Sequence, residues 1–202
     1  MLGRHELSEY DSFASGETAQ VIARDDRGGA IVFLPRGQAD AVRQVAIENY
    51  SCPVPGCTAP RPLSTRGQSK RDHFFHRTAH AHPGGQESLD HLQAKHLLAD
   101  WAQRATGDDV DVAVNDEEWS AEPNRRPDVM VTWPDGRRVA IEIAYRPFPL
   151  AAWRTKEERY RDAGIVPVWL FGHVQGRYLR PEVRSEVAHH REEPGWRLVP
   201  LT

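Results

Sequence analysis

The sequence has few lysines and cysteines and no long hydrophobic run. No apolar segment approaches the roughly 20 residues that span a bilayer, and the N-terminal stretch MLGRHELSEYDSF lacks the apolar core of a signal peptide. We therefore expect a cytoplasmic protein with no membrane partner. The formal net charge of −3 argues against unselective coating of nucleic acid, although it is compatible with a local basic site.

The composition is that of a folded protein rather than a disordered chain. Of the 202 residues, 39% are hydrophobic and 27% are charged. This length suits one large domain, or one domain of ordinary size with a small appendage. We expect a small β region with a Cys/His cluster over residues 1–84, followed by a larger domain over residues 85–202.

Alternating and apolar segments predict a sheet with helices packed on it. Residues 17–34 are typical of two strands around a DDRGG turn. The later elements are, in order, a helix at 86–105, a strand at 110–118, a hairpin at 125–146, a helix that ends at Gly164 and a strand at 165–171. Pro167 places the last strand near a sheet margin or a bulge. This order predicts an α/β (α+β) layered fold.

The hairpin RRPDVMVTWPDGRRVAIEIAYR predicts a pair of opposed carboxylates. Pro134, Asp135 and Gly136 favour a three-residue turn. In that register Asp128 faces Glu142 on one side of the sheet, with Cβ atoms about 5 Å apart. The two carboxylates repel each other, and a divalent cation such as Mg²⁺ removes that cost. The alternatives are a shift of one residue, or neutralisation by one of three arginines: Arg125, Arg126 or Arg138.

The helix QESLDHLQAKHLLADWAQRA predicts polar groups that point inward. Helical spacing predicts an apolar stripe of Ala94, Leu98, Trp101 and Ala105. Extended backwards, this stripe reaches His91 and Glu87, with Lys95 on its flank. A carboxylate that faces the core needs a partner or a metal. The alternative is that Glu87 lies in the first turn and complements the helix dipole.

Two cysteines and two histidines have the spacing of a structural zinc site. Cys52 and Cys57 lie in SCPVPGC, and His73 and His76 lie in RDHFFH. Two thiolates and two imidazoles form a tetrahedral Zn²⁺ set with no open position for water. His80 and His82 are further candidates for the fourth ligand. The alternative is a free cysteine pair beside a surface histidine cluster.

Five basic residues surround this Cys/His segment: Arg61, Arg66, Lys70, Arg71 and Arg77. A loop held by a metal and carrying these cations could contact phosphates. The alternative is a solvated basic loop without a partner.

Several motifs, taken in order, resemble the CoiA-like competence protein family. They are CPVPGC, DHFFH, ESLDHLQAK, RPDV, IEI and RYRDAGIVPVWLF, within residues 50–171. The resemblance implies a nuclease-like domain of the PD-(D/E)XK superfamily. It also implies a restriction-endonuclease-like mixed sheet flanked by helices, preceded by a zinc-binding Cys/His region, and DNA as the partner.

The resemblance also implies a role for individual residues. Its acids, which hold catalytic Mg²⁺ or Mn²⁺, match Glu87, Asp128 and Glu142, and its helix pattern ESxxHxxxK matches His91 and Lys95. The implied zinc ligands are Cys52, Cys57, His73 and His76. The implied catalytic set is Glu87, Asp128, Glu142, Lys95 and His91.

The chain departs from the family pattern two residues after the second acid. Family members usually carry Lys there, and CoiA-like members often carry Gln, whereas this chain has Ala144. A cation near the metal orients water and offsets charge. Lys95 is the first candidate to replace it, and Lys156 and Arg126 are weaker ones.

The predicted function is that of a Mg²⁺-dependent nuclease acting on DNA, in uptake or processing of foreign DNA. One alternative is a nucleic-acid-binding module that has lost catalysis, which Ala144 favours. Another is a zinc-scaffolded interaction protein without nucleic acid, which the net charge of −3 favours. The sequence does not predict the oligomeric state.

Overall fold

The computed structural model describes residues 19–67, 71–82, 88–115, 126–144 and 149–171. It divides into two compact units, Met1–His96 and Leu97–Thr202, and each unit is described by itself. None of the helices in the described ranges is long and apolar enough to cross a membrane.

Two small antiparallel sheets form the framework of the first unit. Strand β1 (Ile22–Asp25) lies between β2 (Ile31–Phe33) and β3 (Tyr50–Ser51), and β4 (Leu63–Arg66) pairs with β5 (His73–His76). The predicted pair of strands around the DDRGG turn is confirmed as β1 and β2.

Helix α1 (Ala39–Asn49) was not predicted, although its sequence contains a helical signal. Ala39 and Ala46 are buried, and Val42 packs against the same core. Positions 39, 42 and 46 recur with the helical period, so the pattern could have been found. The backbone amide of Ala39 donates a hydrogen bond of 2.7 Å to the side chain of Asp72. This long-range cap satisfies one of the free amides that begin a helix.

Helix α2 (Leu89–Thr106) confirms the predicted helix and two residues of its predicted buried stripe: Ala94 is buried, and Leu98 is partly buried against the core. Trp101 is 49% exposed and Ala105 is also exposed, whereas Ala99 and Ala102 are buried. Small side chains allow close approach of the helix backbone, and a large indole on the neighbouring stripe is better accommodated at the surface. The stripe prediction was therefore correct for Ala94 and Leu98 and wrong for Trp101 and Ala105.

A four-stranded mixed sheet forms the second unit. Its order is β6 (Asp111–Val114), β7 (Val129–Thr132), β8 (Arg138–Ala144) and β9 (Ile165–Phe171). The first two pairings are antiparallel and the last is parallel. Helix α3 (Leu150–Asp162) connects the two parallel strands, as such a crossover requires. The predicted mixed sheet with helices is confirmed.

The two faces of this sheet contact different helices. On one face, Val129, Val131 and Ile141 pack with Ala99 and Ala102 of α2. On the other face, Ala140 packs with Tyr160 of α3. Because side chains alternate along β8, Glu142 belongs to the face that α3 covers.

Pro167 lies in β9, at one margin of the sheet as described. A proline is tolerated there because a margin strand leaves one row of backbone groups outside the ladder. The predicted position near a sheet margin is confirmed.

Candidate functional site

A tight turn sets the register of the hairpin that carries the two acids. The amide of Trp133 donates to the carbonyl of Arg137 at 2.9 Å, and Gly136 has a φ of +85°. The left-handed conformation favours glycine at that position. The register pairs Met130 with Ala140, as predicted.

Asp128 lies next to Glu142 at the other end of this hairpin. The register pairs Val129 with Ile141, so one further step places Asp128 beside Glu142. Asp128 Oδ2 accepts a hydrogen bond of 2.8 Å from the amide of Ile143, the residue that follows Glu142. The negative charge of Asp128 helps to raise the pKa of Glu142. The opposed pair of acids predicted from the turn is therefore present.

Glu142 is a buried carboxylate with two partners from α3. It is 4% exposed, and its Oε2 accepts a hydrogen bond of 2.7 Å from Lys156 Nζ. Its Oε1 accepts a hydrogen bond from the hydroxyl of Tyr160. Lys156 and Tyr160 are four residues apart, so they lie on the same side of the helix.

Burial dominates the electrostatics of this group. It raises the pKa of Glu142 above its ordinary value, while the Lys156 ammonium partly offsets that rise. Burial also raises the pKa of Tyr160, and the negative charge of Glu142 adds to the effect. Tyr160 therefore remains a hydrogen-bond donor at physiological pH.

Trp169 supports Lys156 from the neighbouring strand. The register of β8 and β9 pairs Glu142 with Trp169, and the Lys156 ammonium lies 5.8 Å from the centre of the indole ring. The indole donates a hydrogen bond of 2.7 Å to Glu157 Oε2, which fixes the ring. A cation over an aromatic face is attracted by the ring quadrupole.

The other predicted members of this site are placed as follows. Glu87 lies outside the described residues. His91 and Lys95 lie on α2 within the first unit, and Lys95 is buried. The convergence of Glu87, His91 and Lys95 on the two sheet acids stays a prediction. Ala144 is buried on β8.

A second group of candidate ligands lies in the first unit. One donor atom from each of Cys52, Cys57, His76 and His82 lies within 4.8 Å of every other. Tetrahedral zinc bonds of about 2.0–2.3 Å separate neighbouring donors by roughly 3.3–3.8 Å. The group could hold a metal ion after a small contraction.

His76 is oriented for this role by the main chain. Its Nδ1 lies 2.8 Å from the carbonyl of Ala59, which can only accept, so Nδ1 carries the proton. Its Nε2 is buried and has no hydrogen-bond partner among the described residues. A neutral imidazole that donates through one nitrogen and presents the other is the usual form of a metal ligand.

Hydrogen bonds between Thr58 and Ala81 bring His82 close to the two cysteines. The amide of Ala81 donates to Thr58 Oγ1 at 2.8 Å, and the amide of Thr58 donates to the carbonyl of Ala81 at 3.1 Å. These bonds hold residue 82 beside the cysteine loop. His82 Nε2 then lies 3.4 Å from Cys52 Sγ.

His73, the fourth ligand predicted from the sequence, is not part of this group. Its Nε2 accepts a hydrogen bond of 2.8 Å from Arg66 Nε, and its Nδ1 lies 2.8 Å from the carbonyl of Arg71. Both ring nitrogens are therefore engaged. His73 and His76 are three residues apart on a strand, so their side chains point to opposite faces. Among the described residues, His82 rather than His73 lies together with Cys52, Cys57 and His76.

Burial shapes the ionisation of the group before any metal binds. It raises the pKa of the Cys52 thiol to about 12, with a smaller contribution from Cys57. It lowers the pKa of His76 and of His82, each of which also lies beside other imidazoles. The lowered pKa favours the neutral form of both histidines, which is the form that binds metal, whereas the Cys52 thiol must release a proton.

The comparison with protein families identifies the larger part of the chain. A family model described as "Competence protein CoiA, nuclease-like domain" matches residues 87–189, half of the chain. The chain belongs to this family. No curated protein and no solved structure gives a significant match.

The CoiA nuclease-like match covers one of the two candidate sites. It begins at Glu87 and includes Asp128, Glu142 and the whole of α3, whereas the Cys/His group precedes it. The family resemblance seen in the sequence is thereby confirmed.

Sequence reasoning missed Tyr160 and ranked Lys156 too low as a neighbour of Glu142. Both lie in the segment AAWRTKEERYRD, whose helical period places Lys156, Tyr160 and Trp153 on one side. That shared side was a usable signal, but the strand it covers could not be chosen without the parallel pairing of β8 and β9.

Proposed function

We propose that this CoiA-family chain is a divalent-metal-dependent nuclease that hydrolyses DNA phosphodiester bonds during uptake or processing of foreign DNA. The observation that carries the proposal is the pair Asp128 and Glu142, side by side within a nuclease-like domain. Lys156 already pairs with one oxygen of Glu142, so neutralisation alone does not require a metal. The argument for metal is that two adjacent carboxylates present the hard oxygen donors that Mg²⁺ prefers.

The donor set fits Mg²⁺ or Mn²⁺. Asp128 and Glu142 offer hard carboxylate oxygens, and the charge of one raises the pKa of the other. Glu87, the third acid that the family resemblance implies, lies outside the described residues and stays a prediction. A bound ion of this kind supplies Lewis-acid polarisation of the phosphate and a more acidic water. Asp128, anchored to the Ile143 amide, would keep its orientation during the reaction.

We further propose that Cys52, Cys57, His76 and His82 hold a structural zinc ion. Four protein ligands would leave no position for water, so this site would stabilise the fold and take no part in the reaction. The segment around it has little regular structure, and Cys52 belongs to the core of the first unit. A metal would connect β3, the cysteine loop, β5 and the segment after β5.

A nucleic-acid-binding module without catalysis is the second candidate function. Ala144 provides no polar group beside Glu142, and both oxygens of Glu142 already have partners from α3. In that case Lys156 would permanently neutralise the site, and the protein would bind DNA without cleaving it.

A cleavage assay separates these two functions. Plasmid and single-stranded DNA are incubated with the full chain in Mg²⁺, Mn²⁺ or EDTA, using wild type, Asp128→Asn and Asp135→Asn. Asp135 is a matched control, because it lies in the same hairpin turn and pairs with Arg137. Cleavage that requires metal, disappears in Asp128→Asn and persists in Asp135→Asn supports the nuclease. DNA binding without metal-dependent cleavage overturns it and supports the second function.

A further inference from the structure

Lys156 already occupies the position beside Glu142 where a cation is needed. Its ammonium pairs with Glu142 Oε2 at 2.7 Å, while Tyr160 donates to Oε1. Both oxygens of the carboxylate therefore accept from α3. A divalent ion that binds Oε2 would lie close to the Lys156 ammonium, and the two cations repel each other.

The two donors differ in how readily they can leave. The Lys156 side chain is 15% exposed, and its long chain can move the ammonium while it stays near the Trp169 ring. Tyr160 is 6% exposed and packs with Ala140 and Ile165. Moving its ring would open the core and leave a buried hydroxyl without a partner, which is costly. Lys156 is the donor that can exchange.

We propose that Lys156 is a built-in competitor for the divalent cation: it neutralises Glu142 when no metal is bound and is released when metal binds. Tyr160 is the positioning residue that holds Glu142 through the exchange. The inference rests on the metal-binding part of the proposed function and does not require cleavage. Release of Lys156 would couple α3 to metal binding, because the ammonium would leave Glu142 for other contacts.

Competition between Lys156 and the divalent ion predicts that removal of the Lys156 charge increases metal affinity. Two cations that bind the same carboxylate weaken each other reciprocally. Lys156→Met keeps the length of the side chain and removes its charge, so divalent binding should tighten, about tenfold for a typical coupling between sites. The same variant should lose stability in EDTA, because Glu142 then remains buried without its ion pair. Lys156→Arg should stay close to wild type.

The experiment measures Mn²⁺ binding by calorimetry and Tm with and without Mn²⁺, using the zinc-loaded full chain. Arg161→Met is the matched control: it removes one positive charge from the same helix, and Arg161 pairs with Glu157 at 3.2 Å. Tighter binding and a larger Mn²⁺-induced rise in Tm for Lys156→Met, with neither in Arg161→Met, support the proposal. Unchanged or weaker Mn²⁺ binding by Lys156→Met overturns it.

A second measurement follows Lys156 itself in the wild-type chain, so it does not depend on the folding of Lys156→Met. The chain has three lysines, so the side-chain carbon signal of Lys156 can be assigned by NMR. The signal should move as Mg²⁺ is added and should stay still in Asp128→Asn. A signal that does not respond to saturating Mg²⁺ contradicts the release of Lys156. Absence of Mn²⁺ binding in every variant overturns the carboxylate metal site as well, whereas binding without cleavage overturns only the nuclease.

Discussion

Asp128 Oδ2 accepts a hydrogen bond of 2.8 Å from the backbone amide of Ile143. This bond ties the first acid of the hairpin to the residue directly after the second acid, Glu142. The carboxylate of Asp128 is thereby held at the end of β8, where its charge disfavours ionisation of Glu142. Burial is the largest cause of the raised pKa of Glu142, and the charge of Asp128 adds to it; this contribution can be measured.

Asp128→Asn should lower the pKa of Glu142. The amide has nearly the same shape and can still accept from Ile143, but it removes the negative charge that raises the pKa of Glu142. Carboxyl-carbon NMR titration in EDTA would measure the change, with Asp135→Asn as the control in the same hairpin. An unchanged or higher pKa in Asp128→Asn would show that the two carboxylates are not coupled.

Stabilisation by Mg²⁺ should increase with pH. The pKa of Glu142 is raised above its ordinary value of 4.5, so the folded protein retains this proton at pH values where an unfolded glutamate has lost it. The stability that this proton provides is present below the unfolded pKa and is lost as pH rises through the folded pKa. Mg²⁺ requires the ionised form, so its effect has the opposite trend. The measurement is the Mg²⁺-induced change in Tm between about pH 5 and pH 8; a change that is constant with pH would contradict it.

His82→Ala should remove zinc, whereas His73→Ala should retain it. His82 Nε2 lies beside Cys52 Sγ, while both nitrogens of His73 are engaged by Arg66 and Arg71. Metal analysis of the purified proteins should give about one equivalent for wild type and His73→Ala, and less than about half for His82→Ala. His80→Ala is a further control, because His80 stacks on His76 but is not among the four grouped donors. The reverse pattern would restore the ligand set predicted from the sequence.

Gly67→Ala should destabilise the protein through the cap of α1. A Cβ atom at Gly67 would lie 2.0 Å from Asp72 Oδ1, so the Asp72 side chain would have to move. That movement breaks the hydrogen bond to the Ala39 amide, and loss of a helix cap costs about 1 kcal/mol. Gly28→Ala is the control, because a Cβ there meets nothing within 4 Å. Denaturant unfolding gives both values, and equal stability for the two variants would contradict the cap.

The hairpin turn and helix α1 show how far local sequence can predict this structure. The turn Trp133–Arg137 depends on neighbouring residues, so its register, and with it the position of Asp128 beside Glu142, could be predicted before the fold was known. The helix at α1 carries an equally local signal at Ala39, Val42 and Ala46 that was overlooked. The cap from Asp72 was not accessible, because the two residues lie 33 positions apart in the chain.

The sequence by itself determined the elements whose information is local: the turn-centred hairpin, the order of helices and strands after residue 85, and the two cysteines with histidines near them. Only the tertiary structure decided which side chains meet across long separations. It placed His82 rather than His73 beside Cys52, because hydrogen bonds between Thr58 and Ala81 hold that loop. It placed Lys156 and Tyr160 on Glu142 because parallel pairing of β8 and β9 lays α3 over that face of the sheet. Such contacts depend on packing, which no residue spacing encodes.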